Sequence, residues 1–257
     1  MICVSLAEPG LAECLAALEG LDLAEIRLDR MDGLSLGDVG TLFSRHRSLI
    51  ATCRPGGLSD DARKTLLLGA IAAGAAYVDV EVESKEGYRD EIIAKAKEHG
   101  CRVIVSFHDH EKTPDRQALS AIVEESFRKG ADIVKIACAI QSERDNARLL
   151  GLLDDSRKIV VIGMGEKGRI TRVVAPLLGS PFTFASLAGG RETAEGQIDK
   201  AGLESLMDTL HTLETVKVGE SAALINERIV VKKRFQADRF EAQDFGKVFQ
   251  AGNDLAG

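Results

Sequence analysis

The chain has 257 residues, of which 45% are hydrophobic and 28% are charged, as in an ordinary globular protein. A formal net charge of −7, with no Trp and two Tyr, argues against a nucleic-acid-binding or anionic-membrane surface. The longest apolar runs are far too short to span a membrane, and the N-terminus does not have the pattern of a signal peptide. Five cysteines without a CxxC pair indicate neither a disulfide framework nor a zinc site, so we expect a cytoplasmic protein.

Eight short, mostly apolar runs recur along the chain, separated by roughly the length of one strand plus one crossover helix. They begin at Ile2, Asp22, Leu49, Ala76, Cys101, Ala131, Lys158 and Phe182. Amphipathic segments lie between them, including residues 60–74, 88–100, 115–130 and 142–153, and three of these four end at a glycine typical of a helix end. We therefore predict an α/β protein with a (β/α)8 TIM barrel over residues 1–215.

The alternative fold is an open doubly wound sheet, which usually has a Gly-rich turn after its first strand. Here the first strand is followed by Ala7-Glu8-Pro9-Gly10, which is no such turn. Residues 216–257 depart from the strand–helix pattern. They contain a strand-like run, Arg228–Val231, and a charged stretch with four phenylalanines, and we treat them as a C-terminal extension of unknown role.

In a (β/α)8 enzyme the active site lies at the C-terminal ends of the strands, so polar side chains that close apolar strands are informative. The candidates are Glu25 and Arg27, Arg54, Asp79, Glu81 and Glu83, Ser106 and His108, and Lys135, and the seventh strand ends at Met164. Arg172 follows that seventh strand, and it could converge with Arg27 and Arg54 at the barrel mouth. Three such guanidinium groups favour an anionic substrate.

Lys135 interrupts the apolar run IVKIA near the expected end of the sixth strand. Burial disfavours the charged form of lysine and frees a neutral amine, which can attack a ketone and form an imine. The competing interpretation is a structural ion pair between Lys135 and Glu25 or Glu81. His108, immediately past the expected end of the fifth strand, suits a general acid or base, although a lone histidine is more often structural.

The other histidines, His46, His99, His110 and His211, have the helical or loop contexts of solvated surface residues. No pair of histidines has metal-ligand spacing with a carboxylate between them, so a metal site has little support.

Six segments that contain these residues occur in a recognisable order: AEIRLDRMD, ATCRP, VSFHDHEKTP, ADIVKIA, VIGMGEKGRITR and FTFASLAGGRETAEGQI. From about Ile2 to about Thr212 the sequence resembles the type I 3-dehydroquinate dehydratases. The S-x-H-D-x-x-K-T-P run and the lysine 27 residues after its histidine are the most specific parts. The resemblance implies a homodimeric (β/α)8 barrel without metal or organic cofactor. It also implies conversion of 3-dehydroquinate to 3-dehydroshikimate by syn elimination, the third step of the shikimate pathway.

By that resemblance Lys135 is the Schiff-base lysine, and His108 is the acid/base that removes the C2 proton. The other matched positions bind the substrate: Ser5, Glu25, Arg27, Arg54, Met164, Arg172, Thr193 and Gln197. Arg172 would grip the substrate carboxylate, Met164 would pack beside the imine, and Gln197 would lie on a loop over the site.

The sequence departs from the family pattern at two positions. Many relatives have a glutamate four residues after the arginine matched by Arg54, and here that position is Leu58, so Glu81 is a possible replacement. Thr193 replaces a serine and keeps its hydroxyl group. Two rival functions remain at this point, a class I aldolase, which also uses a barrel lysine, and a catalytically silent dimeric binding domain, which the loss at Leu58 would suit.

Overall fold

The structure, a computed structural model, describes residues 1–46 and 48–215. The chain divides into two compact units, Met1–Met207 and Asp208–Gly257, and of the second the structure describes only the end of the last helix. The expected strand at Arg228–Val231 and the role of residues 216–257 lie outside the described residues. None of the helices in the described ranges is long and apolar enough to cross a membrane.

Eight parallel strands form the sheet, one at each position expected from the sequence. They are β1 (Ile2–Leu6), β2 (Ala24–Arg27), β3 (Leu49–Thr52), β4 (Tyr77–Glu81), β5 (Arg102–Asp109), β6 (Ile133–Ala139), β7 (Ile159–Met164) and β8 (Thr183–Ala185). The hydrogen-bonded order is β7-β6-β5-β4-β3-β2-β1-β8, and the two outer strands, β7 and β8, contact each other. The strands therefore form a nearly closed barrel, and the (β/α)8 fold class is confirmed.

Eight helices alternate with the strands within the described residues. They are α1 (Leu11–Ala17), α2 (Leu36–Arg45), α3 (Asp60–Ala72), α4 (Glu86–Glu98), α5 (Arg116–Arg128), α6 (Glu143–Leu150), α7 (Arg169–Val174) and α8 (Lys200–Thr215). A 3-10 turn, Gly151–Asp154, occupies the end of the longer segment expected for α6.

Local signals in the sequence explain several of these helix boundaries. The Ser59 and Asp115 side chains accept hydrogen bonds from the first turns of α3 and α5. Gly74, Gly100 and Gly130 follow α3, α4 and α5 with positive φ angles, which glycine adopts without steric cost. The expected glycine helix ends are therefore confirmed.

The barrel interior has an apolar layer below a polar one. An apolar cluster inside the barrel includes Leu23, Ile50, Tyr77, Ile104 and Ile133. Two residues further along the same five chain segments stand Glu25, Thr52, Asp79, Ser106 and Lys135. Because residues two apart on a strand share a face, the polar set also faces the interior, nearer the C-terminal ends of the strands. Most of the other apolar side chains pack between strands and helices outside the barrel.

Two strand ends differ from the expectation. His108 was expected just past the fifth strand, but β5 includes it, and β6 continues four residues beyond Lys135 to Ala139. The two strands pair as far as Asp109 and Cys138, so hydrogen bonding carries both past the polar residues that marked their expected ends. Both functional candidates are therefore held by strands of the barrel wall.

Candidate active site

A cavity of about 670 Å³ is formed by residues at the C-terminal ends of the strands and in the loops that follow them. Eleven candidate residues from the sequence line it, namely Glu25, Arg27, Arg54, Glu81, Glu83, His108, Lys135, Met164, Arg172, Thr193 and Gln197. Ser5 is not among the lining residues, and its side chain is buried behind them.

Lys135 lies in the inner wall of this cavity with only 4% of its surface exposed. Its Nζ atom donates hydrogen bonds to Asp79 Oδ2 at 3.1 Å and to Glu25 Oε1 at 3.4 Å. The same nitrogen lies 4.2 Å from the centroid of the Phe184 ring, a cation–π distance. One of the two partners considered from the sequence, Glu25, is present, but Asp79 takes the place of Glu81.

The two carboxylates beside Lys135 also accept hydrogen bonds from neighbouring hydroxyl groups. Glu25 accepts from Ser5 Oγ at 2.5 Å and from Thr52 Oγ1 at 3.0 Å, and Asp79 accepts from Ser106 Oγ at 2.6 Å. Burial alone would raise the pKa of both acids, but nearby cations outweigh burial and lower it, Lys135 foremost for Glu25. Both groups are therefore ionised at neutral pH.

Arg54 adds a positive charge to the polar layer inside the barrel and forms a bidentate ion pair with Asp79. Its Nη1 and Nη2 atoms lie 2.9 and 2.8 Å from Asp79 Oδ1 and Oδ2, and Nη1 also donates to Glu81 Oε1 at 2.7 Å. Arg27 is held in the same manner by Asp29, at 3.0 and 2.7 Å. Both guanidinium groups are thus oriented by protein carboxylates before any substrate is present.

His108 faces the cavity from β5, the strand next to the one that carries Lys135. Burial, then the positive charges of Arg54 and Lys135, lower the pKa of His108 well below its ordinary value, with Asp79 opposing them. Within the described part of the chain, no group hydrogen-bonds to its imidazole ring. His108 is therefore neutral at physiological pH and able to accept a proton from a molecule in the cavity.

Arg172, on α7, differs from the other two arginines because no carboxylate of the described residues pairs with it. It is 1% exposed, and its Nη1 atom donates to the Phe184 carbonyl oxygen at 3.1 Å. Its Nε and Nη2 atoms are buried without a partner in the described chain. Burial, with the neighbouring charge of Arg169, lowers the pKa of Arg172 to about 10. A buried and unpaired guanidinium beside a cavity is suited to bind an anion.

The segment between β8 and α8 closes one side of the cavity. Thr193 and Gln197 bond to each other, with the Thr193 amide 2.7 Å from Gln197 Oε1 and Gln197 Nε2 3.0 Å from Thr193 Oγ1. Gly196, at φ +76°, packs so closely on Gly165 that an added Cβ atom would approach the Gly165 carbonyl oxygen to 2.3 Å. A larger residue at position 196 would therefore push this segment away from the barrel.

Comparison with known proteins decides which family this site represents. A family model described as type I 3-dehydroquinase matches residues 2–214. The chain is 34% identical over 226 residues to a 3-dehydroquinate dehydratase of Methanococcus maripaludis, covering 82% of this chain and all of the relative. It is 34% identical over 210 residues to the enzyme of the same name from Desulfotalea psychrophila, covering 77% and 92% of the two chains. The chain belongs to the type I 3-dehydroquinase family.

Solved structures agree with this assignment. A type I 3-dehydroquinate dehydratase from Clostridium difficile, with covalently modified comenic acid, superposes with a TM-score of 0.73 at 27% identity, covering 82% of this chain and 92% of that one. The 3-dehydroquinate dehydratase of Geobacillus kaustophilus gives a TM-score of 0.74 at 25% identity, covering 82% and 91%. The resemblance found in the sequence is confirmed, and the comparisons support a dehydratase of this family rather than an aldolase.

The carboxylate that many type I 3-dehydroquinases have after the arginine matched by Arg54 has no counterpart at Leu58. This side chain is 40% exposed on the loop after β3 and does not line the cavity. Glu81, the possible replacement, accepts hydrogen bonds from Arg54 and from Arg63 Nη2 at 2.9 Å. No hydrogen bond joins Glu81 to His108 within the described chain.

From the sequence, His110 was expected to be a solvated surface residue. It is exposed, but it lines the cavity and stacks on His108, with ring centroids 6.3 Å apart and an interplanar angle of 13°. His110 directly follows β5, two residues after His108, and the two-residue alternation of side chains along an extended chain was the available signal. His46 was also placed at the surface, yet it is half-buried with Nε2 2.7 Å from the Leu21 carbonyl oxygen, whereas the His211 side chain is outside the described residues.

Two further residues of the dehydratase site, Asp79 and Phe184, were given no role from the sequence, although Asp79 was among the strand-end candidates. Asp79 was one of three acids in YVDVEVE, and only the three-dimensional structure brings it to Lys135. Phe184, in β8, contacts both Lys135 and Arg172. Within the described residues, no three His, Cys, Asp or Glu side chains are grouped in a way that could hold a metal ion.

Proposed function

We propose that this protein converts 3-dehydroquinate to 3-dehydroshikimate and water through an imine on Lys135, by syn elimination, as the third step of the shikimate pathway. The observation that carries the proposal is the placement of Lys135 and neutral His108 on adjacent strands, facing one cavity that also contains unpaired Arg172. Together they supply a nucleophile, a base and a site for a carboxylate.

The first step is attack of the Lys135 amine on the ketone carbon of the substrate. The resulting carbinolamine takes up a proton and loses water to give the protonated imine, whose positive charge is balanced by Glu25 and Asp79 beside Lys135. The same proton is released when the imine is hydrolysed. The imine acts as an electron sink, which makes the neighbouring C2 proton acidic. The two carboxylates would therefore stabilise the charged intermediate without taking part in proton transfer.

Elimination then uses His108 twice. Its neutral imidazole takes the C2 proton and leaves an enamine, and the imidazolium returns a proton to the C1 hydroxyl group as that group departs as water. Hydrolysis of the remaining imine consumes one water molecule and releases product and free lysine. The water lost in forming the imine balances the water used here, so the net reaction releases one water molecule.

The binding roles follow from which polar groups still have unused hydrogen-bonding capacity. Arg172 binds the substrate carboxylate because its Nε and Nη2 atoms have no partner among the residues that the structure describes. Arg27, Arg54 and Glu25 present polar atoms to the substrate hydroxyl groups, Met164 packs beside the imine, and Gln197 and Thr193 cover the site. Glu81 supports the site through Arg54.

The test is dehydration of 3-dehydroquinate, followed by the absorbance of the conjugated enone product. We expect Lys135→Ala to lose turnover entirely, whereas Lys85→Ala, which removes an exposed lysine paired with Asp60, keeps the wild-type rate. Full activity of Lys135→Ala would overturn the imine mechanism. We also propose that the protein is a cytoplasmic homodimer that needs no cofactor. Light scattering would test the dimer, and an assay of the dialysed protein would test whether a cofactor is needed.

A further inference from the structure

A continuous series of hydrogen bonds links the segment after β8 to the lysine in the barrel. It runs from Gln197 Nε2 to Thr193 Oγ1 (3.0 Å), from Thr193 Oγ1 to Ser5 Oγ (2.8 Å) and from Ser5 Oγ to Glu25 Oε2 (2.5 Å). The other oxygen of this carboxylate, Oε1, accepts from Lys135 Nζ at 3.4 Å. The Thr193 hydroxyl lies closer to Ser5 Oγ (2.8 Å) than to its other acceptor, Gln197 Oε1 (3.3 Å). With its hydrogen on Ser5, each donor of the series points towards the carboxylate, so these hydrogen bonds can polarise one another.

Ser5 connects the hydrogen bonds of the segment after β8 to the Glu25 carboxylate in the barrel. Its side chain is 2% exposed and does not line the cavity. A serine hydroxyl has one hydrogen to donate, and here that hydrogen points to Glu25 while the oxygen accepts from Thr193. Ser5 is therefore placed to connect two groups rather than to contact a molecule in the cavity.

The Thr193–Ser5 hydrogen bond depends on how residues 187–197 dock on the barrel. Gly196 packs on the main chain of Gly165, and Arg191 Nη2 lies 3.2 Å from Glu8 Oε2, in the loop after β1. These contacts hold Thr193 at the edge of the cavity. If the segment moved outwards, the Thr193 hydroxyl would lose Ser5, and Ser5 would keep only its bond to the carboxylate.

We propose that Ser5 is a positioning residue that couples the docking of residues 187–197 to the reactivity of the Lys135 amine. When Thr193 donates to Ser5, the Ser5 hydroxyl becomes a stronger donor to Glu25. Negative charge is then drawn towards Oε2, so that Oε1 holds the lysine ammonium group less strongly. Docking of the segment over a substrate would thus loosen the hold of Glu25 on the Lys135 nitrogen at the moment when this nitrogen has to attack.

The coupling can be measured in the full-length protein without substrate, although its meaning rests on the role proposed for Lys135. Trace labelling with isotopic acetic anhydride at one pH reports the reactivity of each amine, with exposed Lys85 as the internal standard. We expect Thr193→Val to lower labelling of Lys135 roughly two- to fivefold, the effect of weakening one charge-assisted hydrogen bond by some tens of per cent. Thr193→Ser, which keeps the hydroxyl group, should label like the wild type.

A pair of double-mutant cycles distinguishes coupling through Ser5 from a general disturbance. Ser5→Ala should abolish the effect of Thr193→Val, so that the double variant labels like Ser5→Ala alone. Thr41 instead donates to the Gly37 carbonyl oxygen on α2, outside this network, so Thr41→Val and Thr193→Val should be additive.

Unchanged labelling in Thr193→Val, or an equal effect of that change in the Ser5→Ala background, would overturn the coupling. A failure of the proposed function would look different, because it would appear as continued turnover in Lys135→Ala.

Discussion

Replacing Arg172 by Met is expected to make the protein more stable and almost inactive. The guanidinium is 1% exposed, two of its nitrogen atoms have no partner in the described chain, and its pKa is lowered from 12.5 to about 10. A base whose pKa is lower in the folded state destabilises that state at every pH below the folded value. The penalty is therefore fully present at neutral pH and is relieved only as the pH rises from about 10 towards 12.5.

The size of the stability gain follows from this shift. At about 1.4 kcal/mol per pKa unit, the charge costs the folded state on the order of 3 kcal/mol. Methionine fills much of the same space but loses the hydrogen bond to the Phe184 carbonyl oxygen, which offsets about 1 to 2 kcal/mol. We expect a net gain of about 1 to 2 kcal/mol in the free energy of unfolding, or a rise in Tm of roughly 2 to 6 °C.

The same change removes the proposed partner of the substrate carboxylate. Loss of a charge-assisted, bidentate contact should lower kcat/KM on the order of 10²- to 10³-fold. Urea unfolding and the enone assay measure the two effects, with Arg128→Met, an exposed arginine on α5, as the control that should change neither. A variant that is less stable than the wild type, or that keeps wild-type kcat/KM, would refute the account of Arg172 as a binding group kept unpaired at a cost in stability.

Three further outcomes are expected. His108→Ala should still form a reducible imine on Lys135 but turn over about 10²- to 10⁴-fold more slowly; normal turnover would remove this histidine from the mechanism. Because the pKa of His108 is lowered, the neutral base survives in mild acid, so the acid limb of the kcat/KM profile should lie below the ordinary value of about 6.5; a limb at or above it would contradict the assignment. Gly168→Ala places a Cβ atom 2.3 Å from the Gly163 carbonyl carbon and must displace the start of α7, the helix that carries Arg172. We therefore expect the free energy of unfolding to fall by about 1 to 3 kcal/mol and KM to rise because Arg172 moves. A variant with wild-type unfolding and KM would show that this close contact can relax.

The fold could be predicted because its signals are local. Parallel strands covered on both faces are nearly continuous apolar runs, and their spacing leaves room for one helix each. The ends of β5 and β6 were misplaced because polar residues usually mark the end of such a strand. Here His108 and Lys135 continue the inward-facing side of their strands, and pairing between these strands sets where they end.

The sequence predicted which residues form the site, but not which of them bond to each other. Polar residues on neighbouring strands indicate a shared cavity, so Lys135 and His108 could be nominated from the sequence, and Arg172 from its position after the seventh strand. The sequence could not predict that Asp79 rather than Glu81 is the partner of Lys135. Both acids face inwards, and only the barrel geometry decides which one reaches the lysine. The unpaired state of Arg172 is likewise invisible in a sequence, since it depends on which carboxylates fail to approach it.

Reduction with borohydride during turnover of 3-dehydroquinate tests the central claim most directly. Mass spectrometry of the digested protein should find the reduced, substrate-derived adduct on the peptide that contains Lys135, with loss of activity in proportion to labelling. An adduct on another lysine, or no adduct while turnover proceeds at the wild-type rate, would contradict an imine on Lys135.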